Sequence, residues 1–370
     1  MSKNTDVIPF TELVERVREI ARIASENDFP RARGAVNDVY ARRIPTEEDW
    51  TFLLVSSAIT CQRPVNDGTV SVNTGSSTVT LDSTSLGTAN NAWRIKFAEN
   101  SDVYTFTYID STAGTISPPL SEGQNISAGA YIAFQPVYAL APDFDRFPKN
   151  GGLLFYQGGR ITQIPEQRET PYYANYNPNP TAVPATCRLV QAGTDGAPYI
   201  EVQPPPNQAY NLPYEYLKRP VVLRETTAGV ATIDAGSTSV TFQAGARLGE
   251  MTTGMYFRID AFGTKADSEW YRIIDLNQAT STATLQMAFA PSAATSAGYV
   301  VCSAPDYPVK VQPAIMWGAI CNVTADQNDP LFQFYDQKYQ ESINESKKAF
   351  KTRIYKQEVE SILEDWQYRR

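Results

Sequence analysis

The spacing of apolar residues along the chain changes twice, which predicts helical ends and a β-rich middle. Between residues 9 and 53 apolar positions recur every three or four residues, the period of amphipathic helices. Pro30 suits the first turn of a second helix, and Pro45 is expected to end it. The predicted buried positions of the two helices are Leu13, Val14, Val17, Ile20, Ala21, Ala32, Ala35, Val36, Val39 and Tyr40.

From Gly68 the apolar period falls to two, which predicts β-strands. The segment GTVSVNTGSSTVTLDST predicts a strand, a Gly-Ser turn and a second strand, and GVATIDAGSTSVTFQAG, beginning at Gly229, has the same pattern. Two further pairs of segments match in the same order, residues 92–121 with 255–290 and residues 126–134 with 294–302. Residues 68–136 and 229–305 are therefore interpreted as two copies of one small β-sandwich or barrel module. The alternative is a chance likeness between two β segments rich in Gly, Ser and Thr.

Residues 198–223, between the two modules, are predicted to form a hairpin around which the chain is arranged. Ile200 and Val202 alternate with polar residues, and the prolines at 204–206 stop this strand because proline lacks a ladder N–H. A return strand is expected to run from Tyr210 to Leu223.

After the second module the chain is predicted to be helical again. Residues 313–321, PAIMWGAIC, are apolar on nearly all sides, which predicts a buried helix. A further helix from Pro330 to Tyr368 would span roughly 57 Å, longer than a small domain. Part of it is therefore expected to leave the body and bind a partner. The predicted partner-binding residues are Phe350, Ile354, Ile362, Trp366, Lys347 and Lys351.

These patterns predict a mainly β, α+β fold. Helical N- and C-terminal segments surround a central β-hairpin region, and two similar small β-sandwich or barrel modules are inserted. The predicted segments are 1–66 (helical), 67–136 (module 1), 137–227 (central β region), 228–305 (module 2) and 306–370 (helices that pack with 1–66).

Composition excludes several classes of function. The chain of 370 residues has no histidine, which removes Ser–His and Cys–His catalysis and histidine metal ligands. Its net charge of −8 argues against a surface that grips DNA as a whole. The basic run at 347–356 could touch phosphate, although the polar face of an amphipathic helix is the simpler interpretation.

The four cysteines lie far apart in sequence, so reduced, buried thiols are favoured over disulfides or a metal site. The first ten residues hold no apolar run, so no signal peptide is expected. No stretch of about 18 apolar residues predicts a membrane span. Asp143 and Asp145 are the closest pair of carboxylates for a glycosidase, but they fall at a strand end. No phosphate-binding or EF-hand motif occurs, and no enzyme activity, cofactor or metal is expected.

Three motifs point to a known family. A D-W-x-F-L segment begins at Asp49, a Y-x-L-x-x-D-F-D-R segment spans Tyr138–Arg146, and P-P-P-x-x-A-Y-x-L-x-Y-x-Y-x-x-R-P covers 204–220. With the helical ends, this order resembles the head-to-tail adaptor (connector) proteins of tailed bacteriophages. The two β modules also look like insertions found in phage virion proteins.

The resemblance implies a virion protein, assembled in the host cytoplasm, that forms a ring of usually twelve subunits beneath the portal protein. Such rings extend the DNA channel used for genome ejection and dock the next neck or tail protein, a nozzle or stopper. Double-stranded DNA would pass through the lumen without specific binding, and no membrane is involved. The C-terminal segment would reach the portal or a neighbouring copy.

A tail fibre or receptor-binding protein that recognises host surface glycans is the alternative. Exposed aromatic side chains on the β modules would serve that function. The helical ends and the absence of a long repetitive stalk in the sequence weigh against it.

Overall fold

The computed structural model describes residues 7–23, 29–82, 93–100, 102–110, 112–149, 151–157, 160–165, 181–190, 198–243, 245–259, 269–325 and 331–350. The fold is mixed α+β, with more residues in strands than in helices. The chain forms two compact units, one of residues 1–52 with 219–370 and the other of residues 53–218. In these ranges no helix is long and apolar enough to cross a membrane.

The helices of the described residues all lie in the first unit. They are α1 (Phe10–Ile20), α2 (Phe29–Asp38), α3 (Ile44–Glu47), α4 (Gln312–Ala325) and α5 (Phe332–Phe350). Helix α4 packs against α1, α2 and α5, and most of its residues are buried, as its apolar sequence predicted. A Cβ at Gly318 would lie 2.8 Å from a Val39 methyl and 3.0 Å from the Tyr339 ring. Glycine therefore allows α4 to approach its neighbours closely.

The helix predicted around Pro30 is confirmed, with Pro30 in the first turn of α2. The prediction that Pro45 ends this helix is wrong. The backbone continues through a five-residue π-helix, Val39–Arg43, into α3. Pro45 lies in the first turn of α3, a position at which its fixed φ suits a helix.

The strands are named in chain order. In the second unit they are β1 (Leu54–Cys61), β2 (Val70–Val72), β3 (Thr78–Leu81), β4 (Trp93–Phe97), β5 (Val103–Asp110), β6 (Ala113–Ser117), β7 (Ile126–Gly129), β8 (Tyr131–Phe134), β9 (Val137–Ala139), β10 (Phe144–Arg146), β11 (Gly152–Gln157), β12 (Arg160–Pro165), β13 (Thr186–Val190), β14 (Tyr199–Gln203) and β15 (Tyr210–Lys218). In the first unit they are β16 (Glu225–Thr226), β17 (Ala231–Ile233), β18 (Ser239–Phe242), β19 (Tyr256–Ile259), β20 (Tyr271–Asn277), β21 (Thr282–Leu285), β22 (Ala294–Ala297) and β23 (Tyr299–Cys302).

The two modules have the same strand order. It is β7-β2-β3-β6-β5-β4-β8 in module 1 and β22-β17-β18-β21-β20-β19-β23 in module 2, where β16 is added beside β23. The last two strands of each module are separated by one residue but pair with opposite edges of the sheet, which closes the sheet on itself. Ala128 and Ser296 occupy the same position before this bend, and both have φ 49°.

Side-chain hydrogen bonds repeat between the modules as well. The Tyr131 hydroxyl donates to the Asp67 carbonyl at 2.8 Å, and the Tyr299 hydroxyl donates to the Ala228 carbonyl at 2.5 Å. In both modules this bond ties the closing strand to the residue three positions before the first strand, Val70 or Ala231. The likeness therefore extends beyond strand order to matching side chains.

The cores differ in how they fill the same space. In module 1 Phe106 packs over Gly114, where an added Cβ would lie 3.0 Å from the Thr107 carbonyl oxygen and closer still to the Phe106 ring. The strand registers place Ile273 and Ala283 at the corresponding positions of module 2. A large residue beside glycine is thus replaced by a smaller residue beside alanine, which keeps the packed volume similar.

Helix α1 covers one face of module 2. Glu15 of α1 accepts a hydrogen bond from Arg258 of β19 at 2.8 Å, and the Thr11 hydroxyl donates to Glu225 of β16 at 2.7 Å. Both are side-chain contacts to strands at one edge of the module.

The central region of the second unit contains two sheets, β1-β15-β11-β12, with β10 also paired to β15, and β13-β14-β9. The predicted hairpin is wrong, because β14 and β15 belong to different sheets. The prolines at 204–206 offer no N–H groups, so the chain leaves one ladder before it enters the other. The return strand stops at Lys218, just before Arg219 and Pro220, so residues 221–223 are not part of it. Residues 54–61, predicted to belong to the helical segment 1–66, form β1 against β15.

Candidate partner-binding surfaces

The two carboxylates considered for acid–base chemistry have local partners. The Tyr216 hydroxyl donates to Asp143 at 2.7 Å, and Asp145 lies 3.3 Å from Arg146. Burial, and then the hydrogen bond to Asp143, raise the pKa of Tyr216, so the phenol keeps its proton and donates it. The described residues contain no group of three or more Cys, Asp and Glu side chains able to hold a metal ion.

None of the four cysteines is in a disulfide and all four are buried, as predicted. Burial raises the pKa of Cys61 and of Cys302 to about 12 and that of Cys321 to about 11. Because the thiolate is the reactive form, these three thiols are poor nucleophiles at neutral pH.

A cavity of about 370 Å³ lies where α1 and α2 face the edge of module 2. On its wall Glu225 accepts a hydrogen bond from Thr11 and pairs with Arg33. Asn37 exchanges two hydrogen bonds with the backbone of Leu223, at 2.8 and 3.1 Å. These polar groups hold the helices to the sheet.

The D-W-x-F-L segment forms a seat for the end of α5. Trp50 is fully buried, and its indole N–H donates to the Ile44 carbonyl at 2.7 Å. Phe52 stacks on Trp50 and meets the Phe350 ring edge-on at 5.7 Å. The backbone N–H and the hydroxyl of Thr51 both donate to the Phe350 carbonyl at 3.1 Å. The last described turn of α5 is thus fixed by residues almost 300 positions away in sequence.

Two of the six predicted partner-binding residues are described, and both have contacts within the chain. Phe350 is half-buried against Phe52, and Lys347 lies 3.3 Å from Glu47. Glu47 also accepts the Tyr339 hydroxyl at 3.1 Å. The other four predicted residues, Ile354, Ile362, Trp366 and Lys351, lie outside the described residues.

An exposed aromatic patch lies at the start of α5. Phe334 is 49% exposed and Leu331 43%, whereas Tyr335 is buried. The half-buried Trp317 of α4 faces Phe334 edge-on at 6.4 Å, and the Lys338 amine lies 5.8 Å from the centre of the Phe334 ring. Sequence reasoning missed this patch, because it followed the apolar residues that recur at helical spacing from Tyr335 onwards. Phe334 lies one position before that series, and this offset was the available signal.

Nearly all described aromatic side chains of the two modules are buried. Among the described residues, Trp93, Phe97, Tyr104, Phe106, Tyr131 and Phe134 are buried in module 1, and Phe242, Tyr256, Phe257, Trp270, Tyr271, Phe289 and Tyr299 are buried in module 2. Tyr108 is half-buried. The described parts of the modules therefore present no exposed aromatic platform of the kind that stacks on sugars.

Comparison with known proteins gives no relative. No protein-family model, curated protein or solved structure matches the chain.

Proposed function

We propose that this chain is a structural virion protein, the subunit of a ring-shaped head-to-tail adaptor. The ring lies beneath the portal, extends the DNA channel and docks the next neck protein. The observation that carries the proposal is the seat formed by Trp50, Thr51 and Phe52 under the last described turn of α5. A fixed starting point for a C-terminal segment suits a subunit that uses this segment to hold a partner.

The other two motifs of the family resemblance contact each other, which supports a common structural role. Tyr214 and Tyr216 come from the Pro-rich motif, and Asp143 and Phe144 come from the D-F-D-R motif. Besides the Tyr216–Asp143 bond, the Ala141 N–H donates to the Tyr214 hydroxyl at 2.9 Å. The rings of Phe144 and Tyr216 stack at 5.6 Å.

The sequence beyond Phe350 supplies the partner-binding surface in this proposal. Twenty residues follow, and Ile354, Ile362 and Trp366 recur among them at spacings of four and eight. Leaving such a face in water would be unfavourable by roughly 25 cal/mol per Å² of apolar surface. Contact with the portal or with a neighbouring copy would remove it from water.

The adaptor is preferred to a glycan-binding fibre because the described module aromatics are buried. The net charge of −8 per copy suits a channel through which DNA slides, because like charge limits adhesion to phosphate.

Removing residues 351–370 tests the proposal. This cut keeps Phe350 and its contacts with Thr51 and Phe52, so the body is expected to stay folded by circular dichroism. The truncated protein is expected to lose ring assembly, attachment to the portal, or both, by sedimentation and co-sedimentation. A truncated protein that still forms rings and binds the portal would refute the role of this segment.

Trp366→Ala is the finer variant, because buried tryptophans often dominate interface energies. We expect association to weaken by about 2 kcal/mol, near thirtyfold, in the same assay. Ile274→Ala trims an apolar side chain that is 52% exposed on module 2 and is the control, with little expected change. Equal losses for both variants would show that the assay reports general surface hydrophobicity.

A further inference from the structure

The two modules differ in what covers one matching row of side chains. In module 2 the row crosses three adjacent strands and consists of Trp270, Arg258 and Val300. Trp270 is fully buried and Val300 is 3% exposed. The Arg258 guanidinium lies 4.5 Å from the centre of the Trp270 ring and donates to Glu15 of α1 at 2.8 Å. An apolar–cation–apolar row is thus covered by a helix that brings a carboxylate.

The corresponding row of module 1 keeps the same chemistry but is not fully covered. The strand registers place Val103, Lys96 and Ile132 at the positions of Trp270, Arg258 and Val300. All three are half-buried. Lys96 forms no ion pair with a described residue, and the described residues of the second unit form no helix.

The row on module 2 indicates what kind of segment fits the row on module 1. The ligand should be an amphipathic helix whose carboxylates reach Lys96, as Glu15 reaches Arg258. The sequence at 358–366, EVESILEDW, combines four carboxylates with Ile362, Leu363 and Trp366. Its charge is opposite to that of the row, and its apolar residues match Val103 and Ile132.

A ring requires two different surfaces on each copy, one that meets the preceding copy and one that meets the next. The C-terminal segment and the row on module 1 would supply such a pair. The twenty residues that follow Phe350 would reach roughly 30 Å as a helix and roughly 66 Å if extended, enough to bridge to a neighbouring subunit.

We propose that Val103, Lys96 and Ile132 of module 1 bind the acidic C-terminal segment, residues 358–366, of the neighbouring copy. This deepens the proposed function and rests on it. It assigns the segment to a neighbour within the ring, and it assigns module 1 the role of receiving that segment.

Isotope-resolved cross-linking tests this pairing. Full-length copies labelled with ¹⁵N and unlabelled full-length copies are assembled together and treated with a zero-length carbodiimide, which joins amines to carboxylates in contact. We expect links from Lys96 to Glu358, Glu360, Glu364 or Asp365 that combine one labelled and one unlabelled peptide. Rings whose Lys96 gives no such mixed link, or only links within one isotope, would overturn the proposal. If no ring forms at all, the proposed function fails first and this inference fails with it.

Charge reversal supplies a second measurement that does not depend on cross-linking chemistry. Lys96→Glu is expected to raise the protein concentration needed for half-maximal assembly at least about tenfold, because it places like charges in contact. Arg272→Glu makes a similar charge change at an exposed position of module 2 and should leave that concentration within about twofold. Normal assembly by the Lys96 variant, or equal defects in both variants, would rule out the row on module 1 as the binding surface.

Discussion

Module 1 and module 2 show how one strand order can be kept while the core and the surroundings change. Both close their sheets with a bent strand, and both tie that strand down with a tyrosine hydroxyl. Their cores distribute volume differently, Phe106 with Gly114 in one and Ile273 with Ala283 in the other. Their outer faces also differ, because α1 covers the row through Arg258, whereas the matching row through Lys96 is half-buried. Topology has therefore been preserved more strictly than either packing or contacts.

Deleting one module or the other is expected to give the largest difference, measured as solubility and cooperative folding of the remaining chain. Val65 exchanges two backbone hydrogen bonds of 2.8 Å with Ala133, so the two ends of module 1 lie side by side. Replacing residues 66–132 by a short Gly-Ser linker should leave a soluble, cooperatively folding chain. Replacing 227–300 by the same linker should cause misfolding, because α1 would lose the strands of module 2 against which it packs. Urea unfolding and solubility measure both. Equal tolerance, or the reverse order, would contradict the difference in coverage inferred for the two modules.

Exchanging the core pair of module 1 for that of module 2 is expected to have the next largest effect on the free energy of unfolding. Gly114→Ala should destabilise the protein by about 1–3 kcal/mol, because the new Cβ collides with the Phe106 ring. Combining it with Phe106→Ile recreates the pair found in module 2 and should recover part of that loss. A double-mutant cycle from urea unfolding measures the coupling. Additive losses would show that the two cores do not exchange volume at these positions.

Alanine substitutions in the two outer rows should differ by a smaller free energy of unfolding. Arg258→Ala is expected to cost about 1–2 kcal/mol of unfolding free energy, since it removes the bond to Glu15 and the contact with Trp270. Lys96→Ala should stay within about 0.5 kcal/mol in the unassembled chain. Thermal unfolding at low protein concentration compares the two variants. A large loss for Lys96→Ala would mean that its row is already filled within one copy.

The tyrosine bonds provide the smallest test. Tyr131→Phe and Tyr299→Phe should each cost about 1 kcal/mol, because each leaves a backbone carbonyl without its hydroxyl donor. Burial, with Glu250 nearby, raises the pKa of Tyr299 to about 12. Its folded pKa lies above the unfolded value of about 10, so the stability it contributes is complete below pH 10 and is lost as pH rises towards 12. Urea unfolding of the wild type and Tyr299→Phe across that range should show a smaller alkaline loss in the variant.

The sequence predicted those features that depend on local spacing. The period of two, the Gly-Ser turns and the parallel order of similarities predicted the shared strand order, and Pro30 predicted α2. The hairpin at 198–223 failed because alternation identifies a strand but does not identify its partner. Strand β15 pairs with β1, which lies about 150 residues earlier in the chain.

The candidate surfaces were harder to predict for the same reason. Phe350 and Lys347 fit an apolar and basic helix, yet their contacts with Phe52 and Glu47 join segments about 300 residues apart. Lys96 and Arg258 occupy the same outward position in their strands, and periodicity cannot tell which of the two a helix covers. Such coverage follows from tertiary packing.

The mass and shape of the purified full-length protein, measured by native mass spectrometry and single-particle imaging, test the central claim most directly. The account predicts closed rings with a central channel, of about twelve copies as the family resemblance implies, that dissociate when residues 351–370 are removed. A stable trimer without a channel would instead support a fibre, and a strictly monomeric protein that does not assemble on the portal would contradict the adaptor.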